Sequence, residues 1–151
     1  MVGTRTALED NPKLNTRLWK GRDPIRVLID RELKVPQHFH LLDGSVETLI
    51  FYGDGPVPKK KGKTRYINLK KDLEPIPGIL NSLWETEVLS ILVEGGAHTL
   101  NSFLKSGLWD EARIIEGNSH LGSGLAAPAV KGNLAEEWTL DNDHVRILRN
   151  D

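Results

Sequence analysis

The residues best placed to do chemistry lie in the stretch ILVEGGAHTLNSFLKSG, residues 91–107. An apolar run ends at Glu94, Gly95 and Gly96 follow it, and the apolar spacing then becomes helical. Glycine lets the backbone approach a ligand, and a helix start offers N–H groups and partial positive charge. The pattern therefore predicts a site for phosphate, such as a nucleotide pyrophosphate. A tight strand-to-helix turn without a ligand explains the same residues equally well, since the full dinucleotide-binding fingerprint is absent.

Glu94 is the more specific residue of this junction. A carboxylate at the end of an apolar strand is costly to bury unless it has a hydrogen-bonding partner. We therefore expect Glu94 to accept hydrogen bonds from substrate hydroxyls or amides, or from N–H groups in the turn.

A second polar group occupies the stretch TRTALEDNPKLNTR, residues 4–17. Arg5 and Arg17 are candidate phosphate ligands because a guanidinium presents a planar fork of donors. Thr6 and Asp10 can present polar groups to a cleft. Each of these residues taken singly is more often an ordinary surface residue.

Other catalytic arrangements have little support. His38 and His40 alternate in a connection, but no further ligand cluster accompanies them, so no metal site is predicted. No Ser-His-Asp arrangement is indicated.

Composition narrows the class of protein. A chain of 151 residues is expected to form one domain, residues 1–151. The formal net charge of −1 gives no indication of a nucleic acid or a membrane as partner. The absence of cysteine excludes disulfides and thiolate-metal sites. No apolar run approaches the roughly 20 residues that span a bilayer. We expect a cytoplasmic protein.

The elements that must position these residues follow from periodicity. A helical turn is expected around 6–9, and apolar stripes predict helices at 78–87 and 97–106, the second ending at Gly107. Strands are predicted at 24–30, 46–52, 65–69, 88–94 and 109–117, with a terminal hairpin that turns at 141–143. The continuous apolarity of 88–94 is typical of a strand buried on both faces. The alternation predicts an α/β fold with a mostly parallel central sheet.

The two polar stretches together resemble a known family. VGTRTALEDNPKLNTR and ILVEGGAHTLNSFLKSGLWDEARI, with PIRVLID between them, are similar to the C-terminal reductase domain of the bifunctional riboflavin biosynthesis deaminase/reductase. The resemblance covers essentially the whole chain. It implies a dihydrofolate reductase-like three-layer α/β/α fold with a C-terminal antiparallel hairpin. It also implies NADPH-dependent reduction of 5-amino-6-(5-phosphoribosylamino)uracil to the ribitylamino compound.

The same resemblance assigns roles to residues. Thr6 and Asp10 would contact the nicotinamide cofactor, and Asp10 is a candidate for the general acid. Leu14, Arg17 and Glu94 would bind the substrate, with Arg17 on its phosphate. The cofactor phosphates would lie along a single run: Gly95, Gly96, Ala97, His98, Thr99, Leu100, Asn101 and Ser102.

Three departures from the family pattern lead to further expectations. The deaminase's zinc motif is missing, so no deamination is expected. Arg31 stands after Asp30 where relatives often have a small hydroxyl residue near the cofactor. The chain also begins after the family's first strand and helix. We therefore expect an N-terminally truncated domain whose exposed strand edges favour an oligomer, namely a homodimer, and we expect weak or absent reductase activity. Another pterin or pyrimidine reductase of this fold, or a non-catalytic nucleotide-binding fragment, are the alternatives.

Overall fold

A computed structural model describes residues 1–53, 55–69, 75–120 and 122–151. The chain forms two compact units, residues 1–99 and residues 100–151. The boundary between them falls within a helix, α3 (Ala97–Ser106). Within the described ranges, no helix has both the length and the apolar character needed to cross a membrane.

The first unit is built on four parallel strands in the order of the chain: β1 (Val2–Gly3), β2 (Arg26–Ile29), β3 (Thr48–Tyr52) and β4 (Thr64–Asn68). In register, Val2 lies opposite Leu28, and Leu28 lies opposite Ile50. The strands predicted at 24–30, 46–52 and 65–69 are confirmed, and so is the mostly parallel sheet. The two-residue strand β1 is too short to give an alternating pattern, so the sequence did not indicate it.

Both faces of this sheet are apolar, as parallel strands require. Val2, Leu28 and Ile50 are buried on one face, and Val27 and Leu49 are buried at the alternate positions. The first face belongs to a core cluster that also contains Ala7, Val35, Leu41 and Leu42. Leu41 and Leu42 come from a 3-10 helical turn (His40–Leu42).

Helix α1 (Thr4–Asp10) follows β1 directly and packs on β1 and β2 through the fully buried Ala7. It is longer than the turn expected at 6–9. Asn11 ends the helix with a left-handed backbone, φ 42°, and its N–H bonds the Ala7 carbonyl. The Asn11 side chain then accepts the N–H of His40 at 2.9 Å, which fixes where the chain leaves the helix.

Helix α2 (Pro75–Glu85) begins three residues before the predicted start at 78. Prolines within the first helical turn need no intrahelical N–H partner, so Pro75 and Pro77 do not break the helix. At its end, Glu87 adopts φ 61°, and the N–H of Val88 bonds the Leu83 carbonyl at 3.0 Å. Glycine usually makes this left-handed closure, so the residue types at this position did not indicate it.

The strand predicted at 88–94 is wrong in two respects. The segment is extended, but Gly95 makes its one bridge to β1, opposite Val2. Leu89 and Leu92 are 80% and 69% exposed, so the segment is not buried on both faces. The physical reason is the length of β1, because two residues cannot support a longer ladder on this side.

The second unit contains the rest of α3 and a three-stranded antiparallel sheet. Its strands are β5 (Glu111–Glu116), β6 (Asn133–Leu140) and β7 (Asp143–Arg149), in the spatial order β5-β7-β6. The predicted helix at 97–106, the strand within 109–117 and the terminal hairpin are confirmed. Gly107 follows α3 with φ 68°, as expected for a helix stop.

Candidate functional site

Three parallel backbone segments of the first unit end at one edge of its sheet. β1 ends at Gly3, and β2 ends at Ile29 beside it. On the other side of β1, the extended segment ends at Gly95, whose carbonyl accepts the Gly3 N–H at 3.1 Å. The N–H of Glu94 likewise bonds the Met1 carbonyl at 3.0 Å. Ligands of open α/β sheets bind outside such carboxyl ends, so this edge is the candidate site.

Gly3 allows the first close approach at this edge. A Cβ on Gly3 would lie 2.6 Å from the Thr99 hydroxyl oxygen, closer than real Cβ contacts. Thr99 is only 7% exposed. We therefore interpret Thr99 as a packing residue that sets β1 against α3, rather than as an open part of the turn.

Gly96 allows a second, reciprocal approach. A Cβ on Gly96 would lie 2.8 Å from the hydroxyl oxygen of Thr6, which is half-buried on α1. The two strand-to-helix junctions thus interlock, because a threonine from each helix lies over the glycine that precedes the other helix. Packing therefore requires glycine at both Gly3 and Gly96, in addition to any need for a turn.

Gly95 differs from its neighbour. Its φ of 146° suits glycine alone, and no heavy atom lies within 4 Å of the position where a Cβ would be. The Gly95–Gly96 peptide bond is cis. Gly95 itself is buried, but the space where its Cβ would lie is unfilled, and a cradle for a cofactor phosphate requires such space.

Helix α3 begins at Ala97, directly after the two glycines, and its ten residues place a partial positive charge there. Of the predicted phosphate-binding run, His98 is exposed, and Asn101 and Ser102 are half-buried further along the helix. Ala97 and Leu100 are also partly exposed. The backbone N–H groups of the first turn are thus better placed for an anion than most of the side chains after them.

Thr6 and Asp10 lie four residues apart on α1, so they share one face of the helix. Thr6 faces Gly96, and Asp10 is exposed one turn further along that face. Within the described residues, no hydrogen bond or ion pair holds the Asp10 carboxylate. Asp10 is therefore free to interact with a ligand that extends from the glycine turn along α1.

The predicted substrate residues Leu14 and Arg17 follow α1 in a loop. Leu14, with φ 42°, is half-buried and packs against the core cluster. Arg17 is exposed. Arg5 is exposed and pairs with Glu9 at 2.8 Å, and this hydrogen bond and charge raise the pKa of the Arg5 guanidinium. Arg17 is thus the more available of the two arginines considered as phosphate ligands.

The burial argument for Glu94 does not apply, because Glu94 is exposed. The residue to which that argument does apply is Asp30, which directly follows β2 and is 2% exposed. Its carboxylate accepts the N–H of Lys34 at 3.1 Å and the N–H of Val35 at 2.8 Å. The hydroxyl of Thr4 lies 3.1 Å from the same carboxylate. Sequence reasoning missed Asp30, although it too is a carboxylate at the end of an apolar strand.

The other features of the described residues support a functional site less well. In the described part of the chain, no group of three or more histidines, aspartates or glutamates could hold a metal ion. A groove of about 450 Å³ lies before the amino ends of β2, β3 and β4, opposite the glycine turn, and its lining mixes charges of both signs. Its lining residues are Arg22, Asp23, Pro24, Ile25, Ser45, Val46, Glu47 and Lys63.

Several named proteins are similar to this chain in sequence. The riboflavin biosynthesis protein RibD of Bacillus amyloliquefaciens is 34% identical over 87% of this chain, which spans 38% of that protein. The 2,5-diamino-6-ribosylamino-4(3H)-pyrimidinone 5′-phosphate reductase of Methanothermobacter thermautotrophicus is 27% identical over 97% of this chain, which spans 70% of that protein. The chain therefore spans well under half of the length of the RibD relative and about two thirds of the length of the reductase.

Solved structures share the fold. A deaminase/5-amino-6-(5-phosphoribosylamino)uracil reductase of Thermotoga maritima superposes with a TM-score of 0.78 at 24% identity, over 98% of this chain and 44% of that protein. This likeness confirms the expected dihydrofolate reductase-like α/β fold class. The family model for the RibD C-terminal domain matches residues 1–151. The chain belongs to the RibD C-terminal domain family.

Proposed function

We propose that this chain binds NADPH at the glycine turn and reduces a phosphoribosylamino pyrimidine to its ribitylamino product in riboflavin biosynthesis. The observation that carries the proposal is the unfilled space where a Cβ on Gly95 would lie, next to the start of α3 and at the carboxyl ends of a parallel sheet. Family membership supports the same reaction, because the relatives named above are riboflavin biosynthesis proteins and a pyrimidinone phosphate reductase.

The residues present fit a nicotinamide dinucleotide. The space beside Gly95 leaves room for the pyrophosphate, and the first-turn N–H groups of α3 would donate hydrogen bonds to it. NADPH supplies a hydride when bound. Thr6 and Asp10 would border the nicotinamide side, because they continue one face of α1 away from Gly96. Ala97 and His98, at the start of α3, would line the remainder of the cofactor.

The substrate would lie beyond the cofactor. Arg17 would hold its phosphate through the guanidinium fork, and Glu94 would accept hydrogen bonds from its hydroxyl or amino groups. Reduction at C1 of the open-chain imine adds a hydride to that carbon and a proton to the nitrogen bonded to it. Asp10 is our candidate for the proton donor, because its carboxyl group is exposed on the same face as Thr6. Positioning of the two reactants accounts for most of the catalysis.

A titration followed by a rate measurement tests this proposal. NADPH fluorescence should change on binding to the chain, and nicotinamide absorbance should then fall when substrate is added. The uracil substrate and the 2,5-diaminopyrimidinone substrate are compared side by side, each with and without its phosphate. We expect Arg17→Ala to raise KM for the phosphorylated form only. Arg22→Ala, an exposed arginine of the same loop, is the matched control. A chain that binds no NADPH would contradict the proposal.

We also propose a homodimer formed through the sheet of the second unit. Trp138 of β6 and Ile115 of β5 lie opposite Val145 of β7, so the three share one face. Leu140, beside them, is 62% exposed, and Ile115 is 67% exposed. An apolar face of this kind favours association with a second copy. Light scattering should give twice the chain mass, and Trp138→Ser should lower it; a clean monomer would refute the dimer.

We further propose that the reaction takes place in the cytoplasm. NADPH and a sugar phosphate are both highly charged, and neither crosses a membrane unaided. Cell fractionation with antibody detection tests the location, and recovery of the protein outside the cytoplasmic fraction would contradict it.

A further inference from the structure

Asp30 is a buried carboxylate that the proposed reaction does not use. Burying a charge is unfavourable unless hydrogen bonds satisfy it, and three donors converge on Asp30. Two are backbone N–H groups, of Lys34 and Val35, and the third is the hydroxyl of Thr4. The carboxylate therefore joins the end of β2, the loop that follows it and the first residue of α1.

The contact with Thr4 links Asp30 to the candidate site. The single hydroxyl proton of Thr4 is shared between the Asp30 carboxylate and the Ile29 carbonyl, which lies at 2.9 Å, so the end of β2 holds the first turn of α1 through this one side chain. The residue before that turn, Gly3, provides no side-chain cap. Thr6 stands in the same turn and lies against Gly96. A shift of Thr4 would therefore move Thr6 away from the glycine turn.

We propose that Asp30 is a positioning residue for cofactor binding, acting through Thr4 to hold Thr6 against the Gly95–Gly96 turn. The inference rests on the proposed binding of NADPH at that turn. Asp30 itself is too buried to contact a ligand, so its effect is indirect. Supporting residues of this kind commonly change affinity by about tenfold or more when they are altered.

The experiment measures the NADPH dissociation constant and the melting temperature of each variant in the full chain. Asp30→Asn and Thr4→Val should each raise the dissociation constant on the order of tenfold. Thr4→Ser keeps the hydroxyl and should bind as the wild type does. The control is Thr64→Val, which removes a buried hydroxyl bonded to the Lys61 carbonyl at 2.7 Å at the amino end of the same sheet. It should lower the melting temperature and leave NADPH affinity unchanged.

The double variant Asp30→Asn/Thr4→Val decides the route. If Asp30 acts through Thr4, the NADPH dissociation constant of the double variant is no higher than that of the single variant with the lower affinity. Independent, multiplying effects would overturn the inference. Lower melting temperatures at unchanged affinity would also overturn it, since they show a purely structural role. If Asp30→Asn does not fold, the contrast between Thr4→Val and Thr4→Ser decides. A wild-type chain that binds no NADPH refutes the proposed function itself, whereas wild-type binding with unaffected variants refutes this inference alone.

Discussion

Replacing Gly3 with alanine tests the interlocked junctions directly. The backbone at Gly3 has φ −93° and ψ 170°, a region that any residue adopts, so alanine introduces no backbone strain there. Its Cβ would lie 2.6 Å from the Thr99 hydroxyl oxygen, whereas ordinary contacts begin at 3.4 Å. Thr99 is buried and β-branched within a helix, so its side chain has few other rotamers available. The overlap must then be relieved by movement of β1 or α3.

The magnitude follows from the cost of overpacking. Extra methyl groups in well-packed positions typically cost about 1–3 kcal/mol, and we expect about 2 kcal/mol for Gly3→Ala. For a chain of this length that corresponds to a melting temperature lower by about 4–8 °C. Movement of the junction should also weaken NADPH binding, because Gly96 and the start of α3 adjoin it.

Urea unfolding of four proteins separates the steric effect from other causes. These are the wild type, Gly3→Ala, Thr99→Ala and the double variant. Thr99→Ala alone should cost about 1 kcal/mol through lost packing. The double variant should be more stable than the summed losses predict by at least about 1 kcal/mol, because alanine at 99 removes the clashing oxygen. Gly21→Ala, whose nearest neighbour would be 3.8 Å away, is the neutral control. A Gly3→Ala protein as stable as wild type, or fully additive losses, would refute the reasoning.

Three further predictions concern separate features. Gly95→Ala should lower stability by about 1–3 kcal/mol through its φ of 146° alone, and unchanged unfolding in urea would contradict this. Burial acts to raise the pKa of Asp43, but its hydrogen bonds to Ser45 and the charge of Arg26 outweigh this and hold that pKa below its ordinary value. Asp43 thus contributes stability above the ordinary carboxyl pKa, which is lost as pH falls through the lowered one, so Asp43→Asn should flatten the acid limb of stability against pH. Arg31→Ala should weaken NADPH more than NADH, because Arg31 is exposed at the end of β2; equal losses would exclude a contact with the 2′-phosphate.

Sequence patterns predicted most of the elements because those elements have local causes. The strands at 26–29 and 48–52 are short β-branched and apolar runs, and α3 has one apolar stripe that ends at Gly107. The hairpin between β6 and β7 turns within two residues, at the acidic cluster that indicated it. Each of these signals is contained within about ten residues, so no tertiary information is needed to interpret it.

The segment 88–94 shows where local information ends. Its apolar run is genuine, but a strand also needs a partner of similar length, and β1 provides two residues. The end of α2 was equally hidden, because a left-handed residue at that position is normally glycine and here it is Glu87. The extent of the strand and the end of the helix both depend on contacts with distant parts of the fold. A short window of sequence contains no information about those contacts.

The two carboxylates that end apolar runs, Glu94 and Asp30, carry the same local signal and have opposite environments. Glu94 precedes the Gly95–Gly96 turn, and its side chain is exposed. Asp30 precedes a loop that turns back so that the N–H groups at 34 and 35 reach its carboxylate. The chain after the carboxylate, rather than the apolar run before it, therefore decides which one is buried. Under the proposed function, solvent exposure makes Glu94 available to a substrate, whereas the buried Asp30 supports the residues proposed to bind the cofactor.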